Sequence, residues 1–279
     1  MYSISDNILG EGSFGTVYEG TFEEDEGVVQ DVAIKVETRD DDDTKPRQLE
    51  YEFRTYLYLL KRGVTCVPKV FCFEEKDDSH VLVMEKFGES LQDFKNPITE
   101  TQACSIGVLA VRALHQVWKA GVVHRDIKPA NLCFTVNGKG IALIDFGLSK
   151  RYLNDDGEHI PHRTGKQLTG TPRYSSLMVM GGHEQARRDD AESLVYLLLF
   201  LMKRRLPWQG FKEEDREKKH ALIFEKKKGV LLKDLFDKMD PHWASLLEYV
   251  RNLAFTDSPD LVERYFRKIM ASIERRLKR

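Results

Sequence analysis

The sequence predicts an α+β protein in two lobes: a small β-rich N-terminal lobe with one main helix, and a larger, mostly helical C-terminal lobe. Three observations carry that prediction. Short runs of β-branched and aromatic residues dominate the chain up to about residue 87. One stretch there, Lys45 to Arg62, has apolar residues at helical spacing. From Gly88 onward the periodicity turns helical. The 279 residues suffice for two lobes that share one site. No internal repeat or low-complexity linker divides them, so 1–279 is expected to be one domain, with 1–87 as N-lobe, a hinge at 85–87, and 88–279 as C-lobe.

In order along the chain, Phe14 to Gly20 and Val28 to Val36 read as strands around the acidic turn Glu23-Glu24-Asp25-Glu26-Gly27. In the helix that follows, Leu49, Phe53, Tyr56, Leu57 and Leu60 repeat at helical spacing. Val67 to Phe73 and His80 to Met84 read as further strands. Thr99 to Ala120 carries Ile106, Leu109, Ala110, Ala113, Leu114 and Val117 on one face, and Thr99 with Gln102 fits a capping box. Leu132-Cys133-Phe134 and Ile141 to Ile144 frame Asn137-Gly138, a hairpin signal. Helices dominate from Asp189, interrupted by Leu206-Pro207-Trp208-Gln209-Gly210 and Thr256-Asp257-Ser258-Pro259.

Composition excludes several classes. The chain is 41% hydrophobic and 32% charged with a formal net charge of −2, so no global field draws it to nucleic acid or to a membrane. The longest apolar run, Leu194 to Met202, is far short of the ~20 residues that span a bilayer and reads as a buried helix. No apolar core follows a basic start at Met1, so no signal peptide is expected. Cys66, Cys72, Cys104 and Cys133 lack a metal-ligand pattern, and a reducing compartment, cytoplasmic or nuclear, is the default. Lys226-Lys227-Lys228 and Arg275 to Arg279 read as solvated faces rather than import or docking patches, and the acidic run Asp40 to Asp43 as a solvated loop.

Four motifs carry chemistry. Gly10-Glu11-Gly12-Ser13-Phe14-Gly15-Thr16-Val17 fits G-x-G-x-x-G-x-V, in which glycines let backbone amides approach phosphate oxygens. A lone G-x-G-x-x-G also fits a dinucleotide-binding turn, but that turn opens a helix, whereas strand-like sequence continues here through Gly20. Val32-Ala33-Ile34-Lys35 would present Lys35 to phosphates and to a helix glutamate. Of the two candidates, Glu52 shares a face with Gln48 and Tyr56, while Glu50 lies about 160° away; Glu52 is expected. His124-Arg125-Asp126-Ile127-Lys128-Pro129-Ala130-Asn131 and Asp145-Phe146-Gly147 supply the rest. Asp126 can accept the proton of an acceptor hydroxyl, Lys128 can neutralise phosphate charge, and Asn131 and Asp145 offer hard oxygens to magnesium. His124 reads as a scaffold residue and Arg125 as a structural ion-pair partner. In this order and spacing the motifs resemble the catalytic core of protein kinases, which use ATP and Mg2+.

Further stretches resemble the casein kinase 1 family of serine/threonine kinases: His159-Ile160-Pro161, Leu168 to Tyr174, Ser176-Leu177-Met178 where Ala-Pro-Glu would stand, Glu184 to Asp190, and Leu206 to Gly210. The resemblance runs from Ile8 to about Asp260 and implies a bilobal protein-kinase fold. It implies transfer to Ser or Thr of protein substrates, favouring an acidic or phosphorylated residue three positions before the acceptor. It maps an anion pocket onto Arg173, Gly210 and Arg216, a gatekeeper onto Met84, and a hinge onto Glu85 to Phe87. The implied nucleotide site is Gly10, Glu11, Gly12, Ser13, Phe14, Gly15, Val17, Ala33, Lys35, Met84, Glu85, Phe87 and Leu132. Thr171 would steady Asp126 and Lys128, and Asp190 would brace the catalytic loop from below.

Two departures from that family stand out. Glu213-Glu214-Asp215 precede Arg216 and are expected to weaken an anion site by repulsion, and Pro172 stands where the family usually has Ala. A scaffold with the same fold but no activity usually lacks the Lys or one of the two Asp, and all three are present. A small-molecule kinase would not need the peptide-facing segment Thr171 to Tyr174. A monomer without a long regulatory tail is expected.

Overall fold

Alternation along one strand explains how the N-lobe is built. Val32 and Ile34 point to the outer face, where they join Val81 and Val83 in a small buried cluster. Ala33 and Lys35 point to the inner face, toward the main core. The strand belongs to a five-stranded antiparallel sheet of order β1-β2-β3-β5-β4. Its members are β1 (Tyr2–Gly12), β2 (Gly15–Glu23), β3 (Val29–Thr38), β4 (Val70–Lys76) and β5 (Ser79–Glu85). Helix α1 (Gln48–Lys61) lies on the inner face and buries Leu49, Glu52, Tyr56 and Leu59. The computed structural model describes residues 1–12, 15–24, 27–38, 48–76 and 78–278. Ser13, Phe14, Asp25, Glu26, the acidic run Asp40 to Asp43, Lys45 to Arg47 and Arg279 lie outside the described residues.

Strand β1 was not expected. Its residues are mostly exposed, it pairs on one side only, and bulges interrupt its register at Ile4/Ile8 and Ile8/Gly10. An edge strand of this kind carries no alternating apolar signal.

In the C-lobe, α2 (Glu100–Lys119) is central. Thr99 Oγ1 accepts from Gln102 N while Gln102 Oε1 accepts from Thr99 N, the reciprocal cap expected from the sequence. Two-residue β6 (Val122–Val123) follows, then the hairpin β7 (Leu132–Phe134) and β8 (Ile141–Leu143), then β9 (Lys150–Arg151), which pairs with β6. The remaining helices are α3 (Leu177–Met180), α4 (Arg187–Lys203), α5 (Arg216–Gly229), α6 (Leu232–Leu235), α7 (His242–Asn252) and α8 (Val262–Leu277). Leu194 to Leu201 of α4 are buried on every side, as the apolar run predicted. Gly107 lets α2 and α8 approach: a Cβ there would sit 2.7 Å from the Phe266 ring. No helix among the described residues is long and apolar enough to cross a membrane.

All four cysteines are free, so Cys66 and Cys72 are not bridged. Burial pushes the Cys66, Cys104 and Cys133 thiols up to about 12. The run Lys226-Lys227-Lys228 is not the solvated face expected. Its outer members are exposed, but at ~100° per residue the middle one turns inward, and Lys227 is fully buried.

Candidate active site

The inner face of β3 and the buried face of α1 bring together residues far apart in sequence. Lys35 Nζ lies 2.7 Å from Glu52 Oε2 and 3.0 Å from Asp145 Oδ1. Glu50 points away and pairs with Arg54 at 2.6 Å on the exposed side of α1. Burial works against the Lys35 ammonium, but Glu52 and Asp145 outweigh it and raise its pKa above the ordinary lysine value. Burial likewise opposes the Asp145 carboxylate, and Lys35, helped by Lys128 and His124, still holds its pKa below the ordinary value. Tyr56, one turn beyond Glu52, closes the group. Its hydroxyl donates to Glu52 Oε1 at 2.8 Å and accepts from Asp145 N at 2.9 Å, while Phe146 N donates to the same Glu52 oxygen at 3.2 Å. The Phe146 ring packs between Tyr56 and His124.

The loop between β6 and β7 is held from below by one carboxylate. Asp190, fully buried near the start of α4, accepts from His124 N and Arg125 N, both at 2.9 Å, and from Trp118 Nε1 at 3.0 Å. Those bonds hold Arg125 at φ 71, and Asp145 stands at φ 66. Left-handed backbone at such residues costs on the order of 1–3 kcal/mol and persists where the surroundings over-determine it. His124 is buried, with Nε2 3.0 Å from Ile144 O, so it serves as scaffold. Arg125, expected in an ion pair, instead donates from Nε to the Leu148 carbonyl at 2.6 Å.

Asp126 is 5% exposed and each of its oxygens has a defined task. Oδ1 accepts from Thr171 N at 2.9 Å and from Thr171 Oγ1 at 2.7 Å. Oδ2 accepts from Lys128 Nζ at 2.6 Å and from Asn131 Nδ2 at 3.4 Å. Thr171 therefore meets Lys128 only through Asp126. Gly170 stands at φ +89, where a Cβ would lie 2.4 Å from Arg125 O, so only glycine brings Thr171 this close. Asn131 Nδ2 also donates to Asp126 O at 2.9 Å, so the amide is oriented by its nitrogen and its Oδ1 could serve a cation. A carboxylate and a carboxamide oxygen would suit a hard cation such as magnesium. Among the described residues no cluster of three or more His, Cys, Asp or Glu forms an all-protein metal site.

Above this group lies the β1–β2 hairpin, with Gly10 opposite Val17, Glu11 opposite Thr16 and Gly12 opposite Gly15. A Cβ on Gly10 or Gly12 would meet nothing within 4 Å, so open space borders the hairpin there. Gly15, at φ +120, backs onto Val36. Ser13 and Phe14, expected between them, lie outside the described residues. At the rear, Ala33 pairs with Met84 across β3 and β5, and both are buried, as is Leu132. Glu85 is fastened to Lys69, its N donating to Lys69 O at 2.8 Å and its Oε2 accepting from Lys69 N at 3.1 Å. Phe87 is half-buried and next to Gly88, whose N donates to Phe134 O at 2.9 Å.

In front of the catalytic loop is a cavity of about 560 Å³ bordered by Lys128, Thr171, Arg173, Gly210, Lys219 and His220, among others. Arg216 does not line it. This residue is the first of α5 and exposed, and the helix presents Lys219, one turn on, instead. The carboxylates before it also have local work: Asp215 Oδ1 caps α5 by accepting from Lys218 N at 2.8 Å, and Glu213 accepts from Asp215 N at 3.0 Å. None of Glu213 to Asp215 lines the cavity.

Sequence reasoning missed Tyr56 and Lys219 as site residues. Tyr56 had a signal, the i+4 offset from Glu52, but was read as a core position. Lys219 had none. The geometry as a whole is a lysine–glutamate pair, the Asp145 carboxylate bonded to the same lysine, and a second carboxylate, Asp126, bonded to Thr171 and Lys128 at the edge of a cavity. A family model, that of the protein kinase domain, matches residues 3–270, nearly the whole chain. The chain belongs to the protein kinase family.

Proposed function

We propose that this kinase is a serine/threonine protein kinase of casein kinase 1 type, which transfers the γ-phosphate of ATP to Ser or Thr near acidic or already phosphorylated residues. The observation that carries the proposal is the placement of the Thr171 to Tyr174 segment. Thr171 holds one oxygen of Asp126 while Arg173 borders the cavity beside it. A peptide crossing that cavity brings its hydroxyl to Asp126 and an anionic side chain toward Arg173 and Lys219, whose cationic groups suit phosphate.

Each residue then has a role. Lys35, locked by Glu52, positions phosphate oxygens beneath the Gly10 to Gly15 hairpin. Asp126, whose oxygens are already fixed by Thr171 and Lys128, orients the acceptor hydroxyl and takes its proton. Lys128 offsets the charge on the transferring group. Asn131 and Asp145 would hold magnesium, which would supply further neutralisation of phosphate charge. Most of the rate then comes from positioning and preset electrostatics. We further propose one catalytic domain over 1–279 with its hinge at 85–87, acting as a monomer in a cytoplasmic or nuclear setting. The end of β5 at Glu85 supports the hinge.

The test is phosphate transfer from labelled ATP with magnesium to two peptides that differ only in a phosphoserine three residues before the acceptor, with the Asp126→Asn variant as blank. Preference for the phosphorylated peptide is expected. Equal transfer to both would remove the anion preference, and transfer to neither above the blank would remove the proposed activity.

A further inference from the structure

Lys227 is the buried member of its lysine run. It stands in the last turn of α5 and is fully buried. Its Nζ donates to the carbonyls of Ser175 at 2.6 Å, Pro172 at 3.1 Å and Arg173 at 3.4 Å. The same nitrogen lies 4.8 Å from the centre of the Tyr196 ring and 4.8 Å from that of Trp208. Trp208 adds its own bond to the segment, Nε1 to Arg173 O at 2.8 Å.

Those carbonyls belong to the residues that follow Thr171. Tyr174 N and Ser175 N donate back to Thr171 O at 2.9 and 3.0 Å, and Ser175 Oγ does so at 3.0 Å. A continuous path thus runs from Lys227 through Ser175 to Thr171 and on to Asp126 Oδ1. Three acceptors converge on one buried point, which matches the three donors of an ammonium. Two ring faces favour a cation at that point, as does the C-terminal end of α5.

Stability alone does not explain this arrangement. Burial penalises the charge, Glu192 supports it and Arg251 repels it, and the balance pulls the Lys227 pKa down to about 7. A methionine would fill a similar volume without a buried charge. What the ammonium alone provides is a common anchor for three carbonyls of one loop.

We propose that Lys227 is a positioning residue for the protein substrate: by gathering the carbonyls of Pro172, Arg173 and Ser175, it sets the segment against which the acceptor peptide lies and, through Thr171, the orientation of Asp126. It touches neither reactant. The inference rests on the protein-substrate reading above.

The test compares the full chain with Lys227→Met and Trp208→Phe, using KM for peptide, KM for ATP and amide hydrogen exchange. In Lys227→Met the peptide KM rises roughly tenfold or more while the ATP KM stays within about twofold. Exchange speeds up at Tyr174 and Ser175 but not along α4. Trp208→Phe, which keeps a ring and removes one N–H, shifts the same quantities by a smaller factor, about threefold. An unchanged peptide KM in folded Lys227→Met overturns the proposal. So does an equal rise in both KM values with faster exchange throughout the C-lobe, since that is a merely structural loss. If Lys227→Met does not fold, Trp208→Phe decides in the same way. A wild type that phosphorylates no peptide fails the substrate reading instead, and the exchange comparison still decides whether Lys227 holds the segment.

Discussion

The hydroxyl of Tyr56 accepts the backbone N–H of Asp145 at 2.9 Å while donating to Glu52 at 2.8 Å. One side chain of α1 thereby ties Glu52, which pairs with Lys35, to Asp145, the proposed metal ligand. Tyr56 and Glu52 are fully buried, and there an unpaired donor or acceptor is expensive.

Tyr56→Phe keeps the ring against Phe146 and removes only the hydroxyl. The Asp145 N–H loses its partner, so stability should fall by about 1–3 kcal/mol. The turnover rate should fall roughly tenfold as Asp145 and Glu52 lose their fixed relation. Denaturant unfolding and steady-state kinetics check the two effects; full activity would show that the tie is not needed.

Asp126→Asn retains an oxygen for Thr171 but turns an amide N–H toward the Lys128 ammonium, now 2.6 Å from Oδ2. The fold should persist and the rate should drop by ~10²-fold or more, the order of general-base effects. Thermal unfolding beside the transfer assay separates the two, and near-full activity would end the assignment of Asp126.

The cavity predicts different outcomes for two cations of the same helix. Lys219→Ala should cut the preference for a phosphorylated peptide roughly tenfold, because Lys219 lines the cavity with Arg173. Arg216→Ala should change it by less than about twofold, because Arg216 lies outside the lining. The ratio of kcat/KM for the paired peptides is the measurement, and the reverse ranking would restore Arg216 to the pocket.

Asp189 should make stability fall with rising pH. Burial pushes its carboxyl up to about 7; Ser176, Ala186 N and Arg188 oppose this, and Glu192 adds to it. Between its ordinary value of ~4 and about 7, the folded state holds a proton that the unfolded state has released. The contribution is therefore full below ~4 and lost as pH rises through 7, by at most about 1.4 kcal/mol per pH unit. The stability of wild type minus that of Asp189→Asn, from unfolding between pH 4 and 7, should decline over that window. A flat or rising difference would contradict the raised value.

Legibility in the sequence followed the range of the interaction. The strand Val32 to Lys35 announces which face Lys35 takes, because side chains alternate. Helical spacing placed Glu52 rather than Glu50 inward, and the Thr99 and Gln102 pair marked the start of α2. Strand β1 was silent because an exposed edge has no buried face to encode. Lys219 and Arg216 sit one turn apart on a polar helix, and nothing local says which one meets a cavity bordered by Arg173.

The chain by itself therefore determined the two-lobe layout and the inward faces of Lys35 and Glu52, which follow from periods of 2 and 3.6 residues and from caps and turns, while motif spacing supplied the candidate site residues. Tertiary structure alone decided that Tyr56 joins Glu52 to Asp145, that Lys219 rather than Arg216 borders the cavity, and that Lys227 leaves its run of lysines to bond the segment after Thr171. Each of these depends on remote parts of the chain meeting, the first and the last at buried points. There an unmatched polar group costs too much to leave, and no local pattern records where its partner will come from.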